Sequence, residues 1–85
     1  MIETLLNTLN HHARDLGVDH QRLFHGRGHC YEGLHFINVD WFNPVVWVVI
    51  YGEQEPSLVQ NISDALATWA TNYPMIEAVM LQQRG

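Results

Sequence analysis

Lysine does not occur in this chain, and its cations are four arginines against nine carboxylates, for a formal charge of −5. Affinity for nucleic acid rests largely on cations that displace phosphate counterions. No basic stripe is present, so direct nucleic-acid binding is not expected, and an RNA-acting protein containing this segment must make its phosphate contacts elsewhere. Cysteine occurs once, which excludes an internal disulfide and suits a reducing, cytoplasmic setting. No apolar run approaches the roughly eighteen residues of a membrane span. The N-terminal "MIETLLNTLN" has neither the basic n-region nor the small-residue cleavage site of a secretory signal. Internal repeats, linkers and low-complexity tracts are absent as well.

What is present is 85 residues, 47% of them hydrophobic, enough for one domain with one modest core. Ile2, Leu5, Leu6, Leu9, Ala13 and Leu16 recur at helical spacing, and Gly17 stands where a C-terminal cap belongs, so a helix is expected over 1–17. "DHQRLFHGRG" reads as a short strand running into a turn. In "LHFINVDW", Ile37, Val39 and Trp41 alternate with Asn38 and Asp40, as in a half-buried strand. "FNP" breaks that strand. The continuous β-branched run Val45–Tyr51 then has the character of a strand buried on both faces. Pro56 suits the first turn of a second helix, whose apolar face is Leu58, Val59, Ile62, Leu66 and Trp69. Tyr73-Pro74 ends it, and "MIEAVMLQQ" forms the last strand.

The expected fold is therefore a small α/β (α+β) domain over 1–85, with two helices and a sheet of about four strands in the order α-β-β-β-α-β. A hairpin stands beside a right-handed βαβ unit, within a module covering 20–85.

The stretch "HGRGHCYEGLHFINVDWF" concentrates the chemistry-bearing residues. His20, His25, His29 and Cys30 are zinc-type donors, but there is no CxxC, no HExxH and no HxxxH on a helix, since the His25–His29 pair falls in a glycine-rich turn region. On a regular strand His20 and His25 point to opposite faces. Surface histidines around a hairpin are the plainer reading, and no metal is expected. The glycines match neither GxGxxG nor GxxxxGK[ST], and a strand rather than a helix follows them, so they are expected to serve φ > 0 turn positions. Cys30 beside His29, with Glu32 nearby, has the residue types of a nucleophile and base. Neighbours on an extended chain point apart, however, and nothing in the sequence lowers the thiol pKa. Asp40, at a strand end before a turn, is expected to accept backbone hydrogen bonds there rather than to catalyse. Trp47 and Trp69 are expected in the core, while Trp41 and Phe42 suit either the core or a partner surface. By residue chemistry the chain carries no active site.

One pattern goes further. Arg22-Leu23-Phe24-His25-Gly26, then Gly33-Leu34, Val39-Asp40, Trp41-Phe42 and the run Val45–Ile50 resemble the segment preceding the catalytic domain in class I S-adenosylmethionine-dependent methyltransferases that act on cytosine in large-subunit ribosomal RNA. The second helix and "IEAVMLQQR" fit too, so the resemblance spans about residues 20–85. Its pattern residues are Arg22, His25, Gly26, Gly33, Leu34 and Asp40. Two departures stand out: Arg27 occupies a position that is commonly acidic, and "HFIN" lengthens the link between Leu34 and Val39. The resemblance implies a strand-rich positioning module without catalysis. The acidic, glycine-rich loop that would hold S-adenosylmethionine does not occur within these 85 residues, so no cofactor is expected in this chain. The expected partner is a protein: the module's own catalytic domain or, on a second reading, another copy of the chain.

Overall fold

The N-terminal apolar stripe forms a helix, but a shorter one than its spacing suggests. In the computed structural model, which describes residues 1–28 and 32–85, helix α1 (Ile2–His12) passes into a single 3-10 turn over Ala13–Asp15. Leu16 is already extended, at φ −63° and ψ 123°, so Gly17 is not the helix cap. The end of α1 is satisfied from outside: the Gln21 side-chain amide donates to the His12 carbonyl at 3.1 Å. Leu5, Leu9 and Ala13 are buried as the spacing required.

Strands β1 (Gln21–His25), β2 (Ile37–Phe42) and β3 (Val45–Tyr51) follow, then helix α2 (Pro56–Ala70) and strand β4 (Ala78–Arg84). They make one four-stranded sheet in the order β1-β2-β3-β4. The β1–β2 and β2–β3 pairs are antiparallel and the β3–β4 pair is parallel, as the strand–helix–strand reading required. The β2–β3 connection is the dipeptide Asn43-Pro44, whose peptide bond is cis. Pro56 occupies the first turn of α2, where its missing N–H has no partner to lose.

Both helices lie on one face of the sheet. Leu5 and Leu9 of α1 and Ile62, Leu66 and Trp69 of α2 pack with Leu23, Phe24, Ile37, Val39, Trp41, Val46, Val48 and Ile50 in one core. The helices are pinned together by Asn10, whose side-chain oxygen accepts from Trp69 Nε1 at 2.8 Å and from the Tyr73 hydroxyl at 2.7 Å. The opposite, outer face has no helix over it. Along β3 it carries Val45, Trp47, Val49 and Tyr51, which pair in register with Ala78, Met80, Gln82 and Arg84 of β4.

Two burial expectations change. β2 is not half-buried, since Asn38 and Asp40 are only 5% and 7% exposed. The outer face at β2 is covered by side chains from β1 and its approach. Trp47, expected in the core, lies on the outer face and is partly exposed, because its register partner is Asp40 rather than a core residue. Among the described residues no helix is long and apolar enough to cross a membrane.

Candidate functional site

The residues singled out in the sequence converge on the outer face of β1 and β2, and a β-bulge brings them there. The β1–β2 register runs Arg22 to Asp40, then Phe24 to Val39 and His25 to Asn38, leaving Leu23 as the extra residue. Leu23 and Phe24 both turn into the core, at 1% and 2% exposure. The insertion shifts the side-chain alternation by one, so His25 emerges on the same face as Arg22 and His20. The expectation that His20 and His25 face opposite ways is corrected by this bulge.

At the centre is the nearly buried Asp40 carboxylate. Its Oδ1 accepts from Arg22 Nε at 2.6 Å and from His20 Nε2 at 2.8 Å. It thus has the structural role expected of it, but its donors are side chains rather than the backbone of the following turn. A carboxylate this poorly hydrated is stable only when paired and hydrogen-bonded, and Arg22 supplies both. The same guanidinium donates through Nη1 to His25 Nδ1 at 2.6 Å. That bond makes Nδ1 an acceptor and places the proton of neutral His25 on Nε2. Asn38 Oδ1, 3.1 Å from the same nitrogen, then takes its hydrogen bond from the Arg27 backbone N–H at 3.3 Å. The His20 ring stacks on Phe42 with centroids 4.4 Å apart and planes 13° off parallel.

The two described zinc-type histidines therefore come together, but around an arginine. A guanidinium bonded to both Asp40 and His25 occupies the place a cation would need. Among the described residues no group of three or more His, Cys, Asp or Glu is arranged to hold a metal. His29 and Cys30, the other two candidates, lie outside the described residues, and so does the Cys30–His29 pair that had the residue types of a nucleophile and base.

The glycines do different work from one another. Gly33 does adopt a positive φ, 77°. Gly26 does not. It sits in a 3-10 turn over Gly26–Gly28, where an added Cβ would land on the carbonyl oxygens of Leu34 and Ile37. Its smallness lets the chain leaving β1 cross directly over the segment entering β2. Leu34 is buried in the core at 1% exposure.

Of the two places open to Trp41, the fold takes the core. It is fully buried, and its Nε1 donates to the Gly17 carbonyl at 2.8 Å. Phe42 is half exposed and remains available at the surface. The pattern reading passed over Asn38. The available signal was a strand in which two polar residues, Asn38 and Asp40, alternate opposite a run too apolar to leave either in water.

Compared with known proteins, the family model described as S-adenosylmethionine-dependent methyltransferase matches residues 21–83. The match begins at the first residue of β1 and ends one residue short of the end of β4, leaving α1 outside it. Comparison with curated proteins gave no match, and neither did comparison with solved structures.

Proposed function

Because the chain belongs to the S-adenosylmethionine-dependent methyltransferase family, we propose that it is a non-catalytic α/β accessory module that positions a cofactor-bearing domain of a cytoplasmic methyltransferase acting on ribosomal RNA. One observation carries this reading: the six pattern residues are engaged in holding the sheet together. Arg22 bonds both His25 and Asp40, Gly26 and Gly33 shape the β1–β2 connection, and Leu34 is core. These contacts favour a folding role for the pattern residues over binding a methyl donor or moving a proton.

The turn after β3 supports the same reading. A loop for S-adenosylmethionine would be sought after β3, at the carboxyl end of the parallel pair. That turn is Gly52-Glu53-Gln54-Glu55, with a single glycine whose N–H is bonded to the Arg84 carbonyl at 2.7 Å. The neighbouring β4 closes with Arg84, not with a carboxylate that would take a ribose hydroxyl. These residues do not fit the group. Titration calorimetry with S-adenosylmethionine is expected to give no stoichiometric binding, and a clear one-to-one isotherm would overturn the accessory reading.

A second reading, self-association, is favoured by the uncovered outer face. Phe42 and Met80 are 50% and 48% exposed there, beside the partly exposed Trp47. Strand β4 is also a free edge of the sheet. A solution mass that doubles with concentration, and reverts in Met80→Lys, supports it; a strict monomer at high concentration removes it.

A further inference from the structure

A concave feature lies at the carboxyl end of β3, and none of His20, Arg22, His25 and Asp40 lines it. It is an open groove of about 410 Å³ whose lining includes Arg27, Gly33, Phe36, Tyr51, Gly52 and Gln54. That size suits a small molecule. Its position also matters, because open α/β sheets bind ligands in the crevice outside the carboxyl ends of their parallel strands.

Three observations set the ligand's chemistry. The chain has nine carboxylates, yet among the described residues none lines this groove. Arg27 does line it, and among the described residues its guanidinium has no ion-pair partner, whereas Arg22 is paired with Asp40. The Arg27 guanidinium carbon lies over the Tyr51 ring, 4.7 Å from the centroid. A cation–π contact of this kind does not use up the guanidinium N–H donors, and arginine binds planar or tetrahedral anions through pairs of such donors.

The two glycines that line the groove leave room beside their backbones. Among the described residues a Cβ built on Gly33 meets nothing within 4 Å, and one on Gly52 meets Gln54 Nε2 at 3.7 Å. Phe36 offers apolar surface beside these polar groups. The net charge of −5 opposes long-range attraction of anions, so binding must come from direct contact with Arg27 rather than from steering.

We propose that this groove binds a small ring-bearing anion, a phosphate monoester or carboxylate, with Arg27 holding the anionic group and Phe36 the ring. The proposal stands apart from the accessory reading. S-adenosylmethionine, whose sulfonium and ammonium outweigh its carboxylate, is a net cation that the groove does not select.

The test is a heteronuclear NMR titration of the intact chain with phenyl phosphate, with phenol and inorganic phosphate run separately. Saturable shifts confined to the amides around Arg27, Gly33 and Tyr51–Gln54 are expected with phenyl phosphate, weaker ones with inorganic phosphate, and none with phenol. Arg27→Gln and Arg27→Glu are each expected to weaken phenyl phosphate binding about tenfold or more, the scale of a lost charge-assisted contact, with no change in melting temperature. Absence of saturation, an equal response to phenol, or undiminished binding by folded Arg27→Gln would overturn the site. Equal affinity for inorganic phosphate would overturn the role given to Phe36.

Discussion

Asp40 shows how a single side chain sets the demands on its neighbours. It is 7% exposed and receives Arg22 and His20 on one oxygen. Arg22→Ala leaves that carboxylate with only a half-exposed histidine, and is expected to lower unfolding free energy in urea by about 1–3 kcal/mol. Arg22 is itself 42% exposed, so solvent screening holds the figure toward the lower end. A double-mutant cycle with Asp40→Ala should show positive coupling between the two; additive losses would mean that the pair does not hold the sheet. The glycines allow a sharper contrast. Gly26→Ala drives a methyl into two backbone carbonyls and is expected to cost about 2–4 kcal/mol. Gly17→Ala meets nothing within 4 Å among the described residues, and its φ is not positive, so it should be neutral or slightly stabilising. Melting curves of the two variants test the claim that Gly26 is there for close approach and not for turn conformation.

The elements differ in how far they were legible. α2 was readable because its apolar residues keep one period for fifteen residues and Pro56 and Tyr73-Pro74 bracket it. The end of α1 was not, because Gln21, from another element, satisfies its terminal carbonyl. β2 was read as half-buried because alternation reports which residues share a face, not what covers that face. Trp47 was misplaced for the same reason: an apolar run cannot say which of its members meets Asp40. Asn10 joins α1 to α2 by accepting from both Trp69 and Tyr73. Asn10→Ala is expected to cost about 1–2 kcal/mol and to red-shift the tryptophan emission as Trp69 loses its partner. An unchanged melting temperature would show that helix packing, rather than this bridge, holds the pair.

For the whole molecule, charge and topology give separate predictions. With four arginines against nine carboxylates, and Arg22 paired with Asp40, there is no continuous cationic path for a phosphate backbone. A labelled single-stranded RNA titrated with the chain at about 0.05 M salt, where such contacts are strongest, should show no rise in anisotropy. Tight binding there would move the RNA-contacting role onto this module. The outer sheet face, with Phe42, Trp47 and Met80, is where the accessory and self-association readings meet. Sedimentation across a concentration series separates them, since only the second requires the free chain to pair with itself.

The element types, their order, the parallel β3–β4 pairing and the apolar faces of both helices followed from the sequence alone, because they rest on period and local chain stiffness, which are written along the chain. The family pattern was legible for the same reason, being a spaced set of residues. The tertiary structure alone decided what those residues do. One extra residue in β1 moves His25 to the side of Arg22 and turns four dispersed polar side chains into one network around Asp40. It also set Arg27 on Tyr51 across 24 positions of sequence. Register and burial depend on partners distant in sequence, and a reading along one chain does not contain them.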